Sequence, residues 1–218
     1  PDLFGICGGD NTIQGALDYY GEGASIDLSG GLWNESIIIT NDGVSIYGFG
    51  DGGLDASGFE SGITIIGADG VTIEGIQIIG DASTTAGIVI GPNSKNIQVN
   101  ECRIHGMSLS NPGNDSPLSY GILAYGNDAN SAPEDILFQG NEIYDIAGAG
   151  ISLGSWTNYI GIYENNIYDI SEVEYLGQPL SVGVQAQFGE NVDIDSNDFD
   201  GMIIASNLIL SSGIVNNN

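Results

Sequence analysis

Apolar residues recur along this chain on a fixed beat. Val44, Val71, Ile97, Ile136, Ile160 and Val192 each open a short phrase, and two residues on stand Ile46, Ile73, Val99, Phe138, Ile162 and Ile194. Apolar side chains at alternate positions describe a half-buried strand. Seven residues after the opening position come Ile78, Ile104, Ile143, Ile167 and Phe199, so a second short strand follows a shift of phase. The shift falls at the fifth position: Ile76, Cys102, Asn141, Asn165 and Asn197. Asparagine suits such a bend, because its side chain bonds local backbone and stacked copies bond one another as a ladder.

The opening positions lie 27, 26, 39, 24 and 32 residues apart, a basic period of about 25 with longer turns in places. A third phrase keeps the same beat: "SIIIT", "GITII", "GIVIG", "GILAY", "GISLG" and "GVQAQ". Three short strands per period, each stacked on its equivalent one coil away, predict an all-β, right-handed parallel β-helix. A sandwich of hairpins would need Asp-Gly turns between adjacent strands. "NDGV" and "ADGV" supply Asp-Gly, but at one fixed place in the period, which suits a solenoid corner. The start is different: in "DNTIQGALDYY", Ile13, Ala16, Leu17 and Tyr20 share one helical face behind Asp10 or Asn11 as N-cap. A short helix over residues 10–20 is expected to cover the first coil. Nothing divides the 218 residues into two domains.

The stretch "TIQGALDYYGEGASIDLSGGLWNESIIITNDGVSIYG" resembles the opening of pectin-lyase-like right-handed β-helix proteins, whose repeat is shared by NosD-like proteins and many bacterial and archaeal surface proteins. The resemblance implies the fold and is nearly silent on activity, because this fold hosts lyases, hydrolases, esterases and non-enzymes. Enzymes of the fold that cut acidic polysaccharides commonly use calcium-holding Asp clusters with Arg or Lys as base.

Charge narrows the partners. Against 29 Asp and Glu stand 2 Lys and Arg and one His, a formal charge of −27. Such a surface repels nucleic acid, anionic membrane and polyanionic sugars unless a divalent cation bridges them. No apolar run reaches the length of a membrane span. Pro1 without a preceding Met or apolar leader suggests a processed or excised product. Cys7 and Cys102 are read either as free thiols or as a disulfide, within or between chains; a bond would fit an extracellular setting. Asn34 and Asn114 open N-x-S sequons.

Candidate chemistry is sparse. Lys95, Arg103 and His105 are the catalytic candidates if the chain is an enzyme. The repeat places Glu142 and then Asn166 beside Arg103, and Tyr144 and then Tyr168 beside His105. The plain reading is a cross-coil ion pair and a ring stack. A lyase would need a second cation to neutralise the substrate carboxylate, and no second Arg exists. In "DIDSNDFDG", Asp193 and Asp195 face outward on one strand and Asp198 and Asp200 on the next, hard ligands suited to calcium. "GFGDGG" matches a dinucleotide-binding glycine pattern, but no helix follows it. Long turns at 107–119 and 171–182 fall at one corner, where they would frame a groove beside Leu123, Tyr125, Ser152, Gln185 and Gln187; Tyr125, Gln185 and Gln187 are the candidate sugar contacts. The last coil carries Ile203, Ile204, Leu208, Leu210, Ile214 and Val215 without a capping element, an edge suited to pairing with another chain. The sequence leans toward a non-catalytic extracellular or cell-surface protein that associates with itself, with a carbohydrate-active β-helix as the alternative.

Overall fold

The computed structural model describes residues 12–108, 118–175, 178–209 and 212–218. Its strands form three faces of one coiled stack. The first face orders Ser25–Asp27, Ser45–Tyr47, Thr72–Glu74, Lys95–Asn100, Glu134–Gln139, Asn158–Tyr163, Glu190–Asp195 and Gly213–Asn216 as one eight-stranded sheet. The second face stacks Leu32–Trp33, Gly53–Asp55, Gln77–Ile79, Arg103–Met107, the first half of Glu142–Leu153, Asn166–Ser171 and Asp198–Asp200. The third stacks Ile37–Ile39, Ser61–Ile65, Ala86–Ile90, Ser119–Ala124, the second half of Glu142–Leu153, Val182–Gln187 and Ile204–Ile209. Glu142–Leu153 runs through the corner unbroken and joins these two faces. The pairings between coils are parallel, as expected. The registers put Ile97 on Ile136, Ile136 on Ile160 and Ile160 on Val192. Two first-face strands lie beyond the six opening positions: Ser25–Asp27 before them, and Gly213–Asn216 after them.

Inward Ile, Val and Leu side chains stand in files, and Ile46, Ile73, Val99, Phe138, Ile162 and Ile194 are all fully buried. Each such side chain contributes about 1.5–3 kcal/mol relative to exposure. With only two ion pairs among the described residues, these files and the backbone ladders carry the cohesion.

The corners turn through left-handed backbone. The residue before each opening position has positive φ: Gly43, Gly70, Asn96, Asp135, Tyr159 and Asn191. So does the residue before the fifth position: Gly75, Glu101, Gly140, Glu164, Ser196 and Asn217. Asp-Gly in "NDGV" and "ADGV" therefore marks a solenoid corner, where glycine adopts positive φ at least cost.

The fifth-position asparagines form a continuous buried ladder. Asn165 Oδ1 accepts from Asn141 N at 3.0 Å and Asn141 Nδ2 at 2.9 Å; Asn197 Oδ1 does the same for Asn165 at 2.9 and 2.9 Å. Each amide also donates to a carbonyl of its coil neighbour: Asn141 to Val99 O, Asn165 to Phe138 O and Asn197 to Ile162 O. Asn218 continues the file below Asn197, a rung beyond those named from the repeat. Above Asn141 stands Cys102, whose N–H donates to Asn141 Oδ1 and whose thiol points at Ile73 O, 3.7 Å away. Cys102 is thus the thiol version of a rung. It is free, and burial pushes its thiol up to about 12. Enclosed by the coil interior, this thiol is out of reach of another chain; Cys7, the partner of the intrachain alternative, lies outside the described residues.

A second file explains the recurrent glycine of the third face. A Cβ on Gly87, Gly121, Gly150 or Gly183 would come within 2.5–2.6 Å of Ile104, Ile143, Ile167 or Phe199 respectively, and within 2.6–2.8 Å of a carbonyl oxygen one coil on. The second-face side chains fill that space, so only glycine fits.

The helix spans Ile13–Tyr20, shorter than 10–20, and its N-cap is Thr12, not Asp10 or Asn11. Thr12 has extended backbone, and its Oγ1 accepts from Gly15 N at 2.9 Å. Glu35 accepts from Ile13 N and Gln14 N, satisfying two further helix donors. Ile13, Ala16 and Leu17 are buried against the first coil, whereas Tyr20 is exposed. Gln14 closes the strand edge: its Oε1 accepts from Ile38 N at 2.7 Å and its Nε2 donates to Ile38 O at 3.2 Å. One side-chain amide stands where a neighbouring strand's backbone would be. Of the two long turns, 109–117 lies outside the described residues, and 171–182 contains an antiparallel hairpin of Val173–Tyr175 with Gln178–Leu180 rather than a plain loop.

Candidate functional site

The second face brings Arg103 and His105 together with their expected partners. Arg103 lies in register with Glu142, and His105 with Tyr144; Tyr144 lies on Tyr168. Arg103 Nε donates to Glu142 Oε2 at 2.9 Å. The His105 and Tyr144 rings stack at 4.6 Å and 7°, and Tyr144 and Tyr168 at 4.9 Å and 2°. Tyr168 OH donates to Glu142 Oε1 at 2.9 Å, and Gln77 Nε2 meets His105 Nε2 at 2.8 Å. Lys95 pairs with Glu134 on the first face.

Electrostatics set Arg103 and Lys95 against catalysis as bases and leave His105 neutral. The Glu142 hydrogen bond holds the Arg103 guanidinium above its ordinary value, and the Glu134 hydrogen bond does the same for Lys95, so both stay charged. Burial, reinforced by Arg103, holds His105 below the usual imidazole value although Asp145 and Glu142 pull the other way. Burial pushes the Glu142 carboxyl up, but Arg103 and Tyr168 outweigh it and leave it below the usual carboxylate range. Burial and the Glu142 hydrogen bond push the Tyr168 phenol up to about 12. The group is a neutral ring stack clipped by one exposed ion pair.

The aspartates do not assemble. Asp193 and Asp195 stay on the first face, Asp198 and Asp200 on the second, with the Asn197 corner between them. Asp193 Oδ2 accepts from Tyr163 OH, and Asp195 Oδ1 accepts from Asn217 Nδ2. Among the described residues no three His, Cys, Asp or Glu side chains group as metal ligands.

The turns expected to frame the sugar groove lie partly outside the described residues. Ser152 and Gln185 lie in register beside Leu123 and are only 7% and 8% exposed; Tyr125 and Gln187 are half-buried at the strand ends. Asn34 is exposed, and its amide donates to Asp55 O at 3.0 Å, so the sequon side chain already holds a turn. Asn114 and Leu210 lie outside the described residues.

The last coil divides the edge residues by direction. Ile204, Leu208 and Val215 continue inward files beneath Val182, Ala186 and Ile194. Ile214 is in register with outward Asp193, and Ile203 precedes its strand; they are 59% and 53% exposed. Asp198–Asp200, Ile204–Ile209 and Gly213–Asn216 are each outermost in their stacks. A cleft of about 300 Å³ opens there beside Asp193 and Ile214.

A smaller cleft, about 110 Å³, lies at the corner between third and first faces, lined by Trp156, Thr157, Asn158, Phe188 and Glu190 among others. The sequence reading passed over Trp156 and Phe188. Their signal was an aromatic residue recurring in consecutive coils at turns of unequal length.

The parallel three-faced coil defines a solenoid of the pectin-lyase-like type. The chain belongs to the right-handed β-helix family: the model described as "Right handed beta helix region" matches residues 86–218, more than half of the chain. No curated protein matches it. Among solved structures, PfbA, a surface adhesin of Streptococcus pneumoniae, is similar with a TM-score of 0.56 at 14% identity, over 87% of this chain and 53% of that one. The enzymatically active domain of bacteriophage CBA120 tailspike protein 2 is similar with a TM-score of 0.51 at 14% identity, over 99% of this chain and 42% of that one. This chain spans about half the length of those structures or less, and at such identity the likeness is one of fold.

Proposed function

We infer that the chain is a non-catalytic β-helix of an extracellular or cell-surface protein, built for cohesion, whose last described coil pairs with a second copy to build a layer, sheath or filament. One observation carries the non-catalytic part: Lys95 and Arg103 are each held protonated by a carboxylate one coil away, and the neutral His105 ring is stacked on Tyr144 with its Nε2 engaged by Gln77. Support for pairing comes from the outermost strands, where Val215 continues an inward file yet stays 43% exposed beside exposed Ile214. Burying such a ledge against like strands offers both ladder bonds and apolar contact. The surface adhesin and tailspike of similar fold accord with an outward-facing location.

Sedimentation velocity over a hundredfold concentration range tests the reading, with Val215→Lys as the comparison. Growth of large species in the wild type, and its loss in the variant, is expected. A monomer at every concentration overturns self-assembly. Cleavage of polyuronates that disappears in Arg103→Ala overturns the non-catalytic reading and establishes the carbohydrate-active alternative.

A further inference from the structure

Three aromatic residues among those described adopt left-handed backbone, and all three lie at one corner. Trp156 has φ 67°, Tyr159 φ 54° and Phe188 φ 58°. The other non-glycine residues in this region are Asn, Asp, Glu or Ser. Bulky side chains are poor occupants of that conformation, at about 1–3 kcal/mol each. Trp156 and Phe188 are also 46% and 48% exposed, so burial does not offset the strain. They sit in consecutive coils, since Leu153 pairs with Ala186 before them and Asn158 with Glu190 after them.

Between them lies the cleft of about 110 Å³, with Ala132 on one wall and Thr157, Asn158 and Glu190 as its polar groups. Thr157 is 1% exposed, and its Oγ1 has no hydrogen-bond partner in the protein. Gly189 lies against it: a Cβ there would come within 2.7 Å of Thr157 Oγ1. Asn191 Nδ2 donates to Asn158 Oδ1 at 2.9 Å and fixes the amide that faces the cleft. Two exposed aromatic side chains beside an amide and a carboxylate match a ligand with apolar C–H faces and a girdle of hydroxyls. Glu190, in a chain of charge −27, selects against acidic sugars.

We propose that this corner binds a neutral pyranose unit of a glycan chain, its C–H face against Trp156 or Phe188 and its hydroxyls bonded to Glu190 and Asn158. The binding is separate from self-assembly and needs no catalytic group.

The chain has two tryptophans, so two indole N–H signals report on it by NMR, assigned with Trp33→Phe. Titration uses cellohexaose, chitohexaose and mannohexaose as neutral probes, hexagalacturonate as the acidic one and tetramethylammonium as a cation. At least one neutral hexasaccharide is expected to shift the Trp156 signal saturably, with Kd of about 1 mM. Phe188→Ala and Glu190→Gln each weaken that binding about tenfold, and Phe49→Ala, at a residue 73% exposed elsewhere, leaves it unchanged. The proposal is overturned if no neutral hexasaccharide moves the signal, if hexagalacturonate binds as tightly, or if tetramethylammonium shifts it more. It is also overturned if both folded cleft variants bind like the wild type.

Discussion

Asn165 gives one oxygen to two hydrogens of Asn141: its Oδ1 lies 3.0 Å from the backbone nitrogen and 2.9 Å from the amide nitrogen one coil away. Its own amide donates to Phe138 O at 3.0 Å. Truncation in Asn165→Ala therefore strands three buried polar groups at once. Unfolding in guanidinium is expected to show a loss of about 3 kcal/mol or more. Asn165→Asp keeps the acceptor but turns an oxygen toward Phe138 O, and it is expected to be as damaging near neutral pH as the truncation.

Cys102 occupies the same file with a thiol in the amide's place. Cys102→Asn is expected to extend the ladder, keeping stability within about 1 kcal/mol of the wild type. Ile104→Asn, two residues on and equally buried, faces only the apolar interior and is expected to cost about 3 kcal/mol or more. Thermal melts of the two variants make the comparison. In the native protein Cys102 is expected to resist thiol reagents, being buried and fully protonated.

Gly150 tests the glycine file. A Cβ there meets Ile167 Cγ2 at 2.6 Å and Gly183 O at 2.8 Å, so Gly150→Ala is expected to destabilise by about 1–3 kcal/mol. Gly30 has open space around its Cβ direction and ordinary φ, and Gly30→Ala is expected to be neutral or slightly stabilising. Denaturant midpoints separate packing from glycine's general flexibility.

His105 supplies a pH signature. Burial, with Arg103, lowers its folded value below the unfolded one. Between those values the unfolded chain binds the extra proton, so this contribution is full above about pH 6.5 and is lost as pH falls through the folded value. His105→Phe keeps a flat ring on Tyr144 without the titration. The stability difference between wild type and variant is expected to shift against the wild type on acidification from pH 7, measured by denaturant unfolding at each pH.

Where one coil repeats another, sequence alignment is already a contact map. That is why Arg103 beside Glu142, His105 on Tyr144 and the asparagine file were all legible before any coordinates. Legibility failed where the repeat changed its residue types. Ala24 and Gly213 stand at opening positions without a branched side chain, so the first-face strands beside them went unread, and Asn218 with them. It failed again where the coils differ in length. Trp156 and Phe188 each stand four residues before their opening positions, Ile160 and Val192. Four residues separate Leu153 from Asn158, however, and three separate Ala186 from Glu190, so counting on from the third-face phrase puts them out of step. Outward alternation also misled: Ser152 and Gln185 fall in the outward register of Leu123 yet are buried. The capping residue was misplaced because Asn11 and Thr12 are both good caps by composition, and only backbone geometry selects Thr12.

Gln14 makes the two rims of the coil unequal. At Ile38 a borrowed amide silences both backbone groups, so that rim has nothing left to offer an arriving strand there. The described stack is therefore polar along its third face: a strand arriving at Ile38 would first have to evict the glutamine that already stands in its place.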